Sequence, residues 1–345
     1  MTIPNNTLKY FKETEKIPSK IYYHYTSLEA LYEIVKSKTF RLMSLKSSND
    51  KKELYYKPEK FLNDFDSLYR KINDEVIKKQ LGLCKESLEA NWDEFKKYVN
   101  KKSDPYALCL SSKRDNLTHW DRYAKGCTGV CIGFNVSSFD VYCKRCGMER
   151  FGQFLFHSSR TLYSQEDIES EILNEMVGST RSMGKMFLKD YNINSEYNEI
   201  NSWLKDNGFT VFAAAYSNIK QFVKNDSFVD ESEVRVYFDN NYIKEVLAIF
   251  KSMKNDLDKT LYNDLIECFN EYIKQYKVNE CHFAMTRTGI RSYRNMCLEE
   301  IWGSGVIPEI ILGPMCRQNK SELIKFLNFY GLQGTKVTKS NVPIQ

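Results

Sequence analysis

The chain has 345 residues, enough for one large domain or two ordinary ones, and 42% of them are hydrophobic. Aromatic residues make up 14%, with 23 Tyr and 21 Phe, which argues against an intrinsically disordered chain. The formal charge is only +5, with lysines spread among acidic residues, so the balance permits an anionic ligand such as a nucleotide without indicating a nucleic-acid binder.

The polar start, MTIPNNTLKYFKETEKIPSK, lacks an apolar signal core, and no window approaches the roughly 18 to 20 apolar residues of a membrane span. A cytoplasmic location without membrane association is therefore expected, with the ten cysteines as buried thiols rather than disulfides. KIYYHY, at about 20–25, predicts a strand leading into a helix over 27–37. Thr26 and Glu29 fit a capping box, and Leu28, Leu31 and Ile34 form the apolar stripe. TFRLMS (39–44) reads as a second strand, followed by the polar turn KSSND. From Pro58 to Lys102 the pattern is helical, broken near Gly82. YALCLSS (106–112) is a strand, NLTHWDRYA (116–124) a short helix and GVCIGFN (129–135) a strand buried on both faces. Residues 150–157 read as extended, 165–224 as mainly helical, 231–238 as a strand and 242–277 as helical. Extended segments at CHFAMTR, near 290–298 and at EIILG precede a helix at 318–330 and a last strand near 335. Strands and helices intersperse without βαβ regularity, which predicts an α+β class with a central sheet. One domain over 1–345 is expected, with a core of about 20–57, 104–160 and 225–340 and helical insertions at about 58–103 and 165–224; two domains are the alternative.

The strand ESEVRVYF carries the most chemistry. Alternation puts Glu231, Glu233, Arg235 and Tyr237 on one face and Val234, Val236 and Phe238 on the other. A carboxylate held on a rigid strand suits the stabilisation of developing positive charge. A solvated face with a cross-strand ion pair is the plainer reading of the same pattern. On the short helix, Trp120, Tyr123 and Ala124 share one side, where aromatics stack on a flat ring or simply fill the core, while His119 points elsewhere and reads as exposed. In YYHYT, His24 and Tyr22 share one strand face, and Tyr23 and Tyr25 the other. A neutral imidazole donates one hydrogen bond and accepts another, enough to orient a ribose hydroxyl or to serve the fold alone. Asn49, Asp50 and Glu53 follow a strand as a plain turn or as a loop over a ligand. Cys143 and Cys146 form a CxxC, with Cys127 and Cys131 upstream, yet Cys131 sits in a strand that needs it for packing, so no metal site is assigned. Walker, GxGxxG, HExxH and GxSxG motifs are absent from the sequence.

Taken in order, YYHYTSLEAL, FRLMSLKSSNDKKEL, LCLSSKRDNLTHWDRYAKGCTGVCIGF, FVKNDSFVDESEVRVYF and VIPEIILGP resemble a bacterial family of unknown function, DUF2971, over about 20–320. That family in turn looks like a distant relative of ADP-ribosyltransferases of the His-Tyr-Glu type. The resemblance implies a split, mixed sheet that grips NAD in a cleft, and cleavage of the nicotinamide–ribose bond. His24 would match the signature histidine, assisted by Thr26. Tyr123 would match the aromatic that stacks on nicotinamide, with Trp120 nearby; Tyr25 or Trp120 would take that role if Tyr123 packs into the core. Ser111 would end the strand that supports the ribose, Glu233 would be the signature glutamate and Glu231 its upstream partner. Asn49, Arg235, Arg291 and Arg294 are chosen by chemistry as cleft or phosphate contacts, since arginine clamps phosphate through two bonds.

The leading expectation is an NAD-dependent ADP-ribosyltransferase, a toxin or phage-defence effector by resemblance, acting on a protein or nucleic-acid acceptor and held by a regulatory partner or antitoxin. The alternatives are an NAD glycohydrolase with water as acceptor and a non-catalytic module that senses a nucleotide or phage component.

Overall fold

A computed structural model of the chain describes residues 21–47, 56–99, 105–136, 138, 157–187, 196–239, 280–286, 289–303 and 305–343. Asn49, Cys143 and Cys146, the extended reading of 150–156 and the helical reading of 242–277 lie outside these residues. The chain divides into two compact units. One comprises Met1–Lys16, Asp50–Lys102 and Leu162–Phe228; the other comprises Ile17–Asn49, Ser103–Thr161 and Val229–Gln345.

The described strands are β1 (Ile21–Thr26), β2 (Thr39–Ser44), β3 (Pro105–Ser111), β4 (Val130–Asn135), β5 (His157–Arg160), β6 (Glu233–Asp239), β7 (His282–Thr286), β8 (Gly289–Cys297), β9 (Glu309–Leu312) and β10 (Lys336–Lys339). They form one sheet in the second unit, ordered β10-β9-β4-β1-β3-β2-β8-β7, with β6 on β3 and β5 on β6. Among them β9–β10 is the parallel pair and the rest are antiparallel, so the class is α+β with a mixed sheet.

The sheet divides at β3. One edge of β3 pairs with β6 along its whole length, from Pro105↔Asp239 to Ser111↔Glu233. The other edge is shared: β1 meets it at Ser111 through Tyr23, and β2 meets it at Ala107 and Tyr106. Between those points β1 and β2 part, and the imidazole of His24 enters the gap. Its Nδ1 lies 3.0 Å from the Cys109 carbonyl oxygen. A carbonyl only accepts, so Nδ1 carries the proton and the ring replaces a ladder bond.

Alternation sets the two faces of this sheet. The even positions of β1, β3 and β6 face the main core, where Leu108, Leu110, Val234, Val236 and Phe238 meet Ile132, Phe134 and Ile310. Burying each such side chain stabilises the fold by roughly 1.5–3 kcal/mol. Helix α1 (Leu28–Ser37) packs Leu31, Ile34 and Val35 into that core. Its N-cap is Ser27, whose hydroxyl accepts from the Ala30 amide, and not the expected Thr26. The reason is local: Thr26 still pairs with Val130 in the ladder, so the backbone first turns at Ser27. Helix α8 (Lys320–Phe329), capped by Asn319, closes the same core with Leu323 and Leu327.

The other unit is helical. Between Pro58 and Val99 it contains α2 (Pro58–Lys71), α3 (Glu75–Ala90) and α4 (Trp92–Val99), so the breaks fall at 72–74 and Asn91 rather than near Gly82. Asp74 caps α3 with hydrogen bonds from the Val76 and Ile77 amides, which fixes the first break. The long helices α6 (Gln165–Phe187) and α7 (Glu196–Ile219) complete it, with Phe61, Phe65, Phe95 and Phe212 fully buried. At Gly208 a Cβ would stand 2.5 Å from Cys84 Cα, so glycine permits α7 to lie close on α3.

Candidate functional site

The face opposite the main core holds the polar chemistry. Register aligns Tyr23, Ser111 and Glu233 across β1, β3 and β6, so their side chains rise from the same face, joined by Tyr25 and Arg235 two residues along. Helix α5 (Leu117–Tyr123) covers this face at its β1 end, with Trp120 and Ala124 packed on Tyr23, Tyr25 and Cys131.

Glu233 and Arg235 are both buried, with 5% and 0% exposure. Arg235 donates Nε to Oε1 at 3.0 Å and a terminal nitrogen to Oε2 at 3.1 Å, a fork that holds the carboxylate in one orientation. The ion pair runs along β6 itself and is buried, in place of the solvated cross-strand pair that the pattern suggested.

Glu231 is not on the strand. A 3-10 turn spans Asp226–Glu231, Ser232 takes a left-handed φ of 44°, and β6 begins at Glu233. The turn is tied at several points. Ser111 Oγ donates to the Glu231 carbonyl at 2.8 Å and the Ser112 amide to the Ser232 carbonyl at 3.0 Å. Lys113 Nζ donates to the Asp230 carbonyl at 2.6 Å. The Glu231 carboxylate is partly exposed and accepts from the Tyr123 hydroxyl at 2.5 Å.

The strongest correction concerns His119, expected at the surface and in fact 3% exposed. Its Nε2 lies 3.1 Å from the Glu231 carbonyl oxygen and its Nδ1 lies 2.8 Å from Asn116 Oδ1. The ring packs against Tyr25 at 5.0 Å and Tyr123 at 5.8 Å between centroids. Burial lowers its pKa, the bond to the Glu231 carbonyl opposes this, and Lys113 and Arg122 add to the lowering. Tyr25 is fixed in turn, donating to the Lys113 carbonyl at 2.7 Å and accepting from the Asn116 amide at 3.1 Å. Burial holds its phenol far above the ordinary range. The signal missed in the sequence is Asn116, an N-cap three residues before His119 whose side chain accepts from the His119 amide.

The expected aromatic side of α5 is divided. Trp120 is fully buried, donates Nε1 to Asp115 at 2.6 Å and presents no face to a ligand. Tyr123 is 38% exposed and lies at the surface beside Glu231. His24 and Thr26 stand on the core face of the sheet, opposite Glu233, with His24 edge-on to Phe40 at 5.9 Å. Burial lowers the His24 pKa below 6.5, against the bond to Cys109. Arg294 also belongs to the core face, its guanidinium 5.0 Å from the Tyr106 ring centroid. Arg291 shares the face of Glu233, but it lies beyond β2 and toward the Pro105 end of β3, away from Ser111. The structure thus brings Tyr25, Ser111, Tyr123, Glu231, Glu233 and Arg235 together, adds His119 and leaves His24, Thr26, Trp120, Arg291 and Arg294 outside that cluster.

Cys127 and Cys131 are buried, and among the described residues no group of three or more His, Cys, Asp or Glu is placed to hold a metal ion. No helix among the described residues is long and apolar enough to cross a membrane.

Residues 119–236 match the model of a protein family of unknown function, DUF2971. The matched segment runs from His119 to Val236, from the histidine under the turn to the strand that carries Glu233 and Arg235. No curated protein and no solved structure matches the chain.

Proposed function

We propose that the chain is an ADP-ribosyltransferase that cleaves the nicotinamide–ribose bond of NAD at the Glu231–Ser232–Glu233 turn. The observation that carries this reading is the convergence of two glutamates, Ser111 and Tyr123 at one end of one sheet face. Loss of nicotinamide leaves an oxocarbenium-like ribose, and a fixed carboxylate stabilises that cation more than the neutral substrate. Glu233, held in one orientation by the Arg235 fork, supplies the fixed carboxylate. Glu231, two residues upstream and partly exposed, orients the incoming acceptor. Tyr123 supplies the exposed ring for the nicotinamide. Tyr23 and Tyr25 are the β1 side chains on the reacting face, and His24 braces the split in the sheet from the other side. The split sheet and the order of motifs support the same reading.

The second reading is a non-catalytic nucleotide-binding module. Two observations favour it: the forked, buried pairing of Glu233 with Arg235 suits a structural role, and His24 stands on the opposite face.

The test is incubation of the purified protein with NAD, alone and with cell lysate, following free nicotinamide, label transfer and NAD binding. The transferase reading expects nicotinamide release that is lost in E233Q, and label transfer that falls in E231Q while hydrolysis persists. Binding without release supports the module, and neither release nor binding under any acceptor condition sinks both readings.

A further inference from the structure

His119 is a buried imidazole that no catalytic step above uses. Each ring nitrogen faces an acceptor, Nε2 the Glu231 carbonyl and Nδ1 the Asn116 side-chain oxygen. A neutral ring has a single N–H, so it donates to just one of them. Asn116 Oδ1 already accepts from the His119 backbone amide at 3.3 Å. The Glu231 carbonyl also accepts from Ser111 Oγ at 2.8 Å. That carbonyl opens the peptide linking Glu231 to Ser232, the residue in the left-handed conformation. Non-glycine residues hold that conformation at a cost, and they keep it only where the surroundings over-determine it. Tyr123, packed on the same imidazole, holds the Glu231 carboxylate.

We infer that His119 is a positioning residue: by donating Nε2–H to the Glu231 carbonyl, and by packing under Tyr123, it holds the left-handed turn that sets Glu231 relative to Glu233. The contact is made to main chain, so it fixes the spacing of the two carboxylates without touching either one. Its bearing on catalysis rests on the transferase reading; its bearing on the turn does not.

Two substitutions separate the two ring contacts. A glutamine amide nitrogen falls near the place of Nε2, and an asparagine amide nitrogen near that of Nδ1. H119Q therefore keeps the donor to Glu231, while H119N keeps the donor to Asn116. The readout is amide hydrogen exchange at Ser232, bonded to the Val229 carbonyl, and at Ser112, bonded to the Ser232 carbonyl. Exchange in β2 and β8 serves as the control for an intact fold. H119N is expected to speed exchange at the turn about tenfold, the effect of leaving a buried carbonyl one donor short. H119Q is expected to stay close to wild type. Equal loosening by both variants, better retention by H119N, or no change in either overturns the inference. Where NAD cleavage is present, kcat follows the same order, with H119Q retaining it and H119N losing it. The expected exchange order in a protein that releases no nicotinamide leaves the positioning role standing and removes the transferase reading.

Discussion

In the helical unit, Glu175 on α6 accepts from Asn218 Nδ2 on α7 at 2.7 Å. Burial raises its pKa from 4.5 to about 7, against the Asn218 bond, and Glu171 one turn earlier raises it further. The folded form thus prefers the protonated acid. Ionisation costs nothing below pH 4.5, where both forms are protonated. The cost grows as pH rises from 4.5 toward 7 and is complete above that. A shift of that size is worth about 3 kcal/mol at 1.36 kcal/mol per unit, and the partial exposure of the residue reduces it to roughly 2 kcal/mol. Glu175→Gln keeps the acceptor for Asn218 and removes the charge. The substitution is expected to leave stability unchanged at pH 4.5 and to raise it by roughly 2 kcal/mol at pH 8. Amide exchange along α6 and α7 at the two pH values reports this directly, because opening of those helices draws on the same free energy. Equal pH dependence in wild type and E175Q, or a variant less stable than wild type at pH 8, refutes the reasoning.

Two more outcomes are expected from the sheet unit. R235M, which leaves the Glu233 carboxylate buried without its forked donor, is expected to lower stability by about 3–5 kcal/mol in urea melts, and E233Q also lowers it, since a carboxamide oxygen keeps only one of the two fork bonds and leaves the Arg235 charge without its counter-ion. His24 and His119 both have folded pKa values below 6.5, so the unfolded chain binds more protons and stability is lost as pH falls below about 6.5. H24Q is expected to flatten part of that loss in melts between pH 7.5 and 5.5, and an unchanged slope counts against burial as the cause.

How far the sequence reaches is clearest in β6. Alternation alone places Glu233, Arg235 and Tyr237 on one face and Val234, Val236 and Phe238 on the other, and the ladder to β3 keeps that order. It fails two residues upstream, where the same alternation extends to Glu231 but the backbone has left the strand at Ser232. A left-handed serine has no sequence mark here: beside the local bond from its amide to the Val229 carbonyl, the contacts around the turn come from Ser111, Lys113 and His119, more than a hundred residues upstream. The same holds for α5. Spacing puts Trp120, Tyr123 and Ala124 on one side, but seven residues make barely two turns. Which residue meets the sheet is then decided by Tyr23 and Tyr25 beneath it, and Tyr123 is left at the rim while His119 turns inward.

His24 shows what parity does and does not settle. The pattern in YYHYT separates His24 from Tyr23 and Tyr25, but it cannot say which of the two sets faces Glu233. That depends on register: Tyr23 meets Ser111 where β1 touches β3, and the ladder to β4 sets His24 beside Ile132 of the main core. A shift of one residue would carry His24 to the face of Glu233 and Tyr25 into the main core. Such a shift would also bury the Tyr25 hydroxyl away from the Lys113 carbonyl and the Asn116 amide it now bridges. It would remove the donor that fills the gap at the Cys109 carbonyl as well. Two satisfied polar groups would become two unsatisfied ones, at roughly 1–3 kcal/mol each. The register is therefore held by the polar atoms of β1 as much as by its apolar surface, and it is this register that gives Tyr25, rather than His24, to the face of the two glutamates.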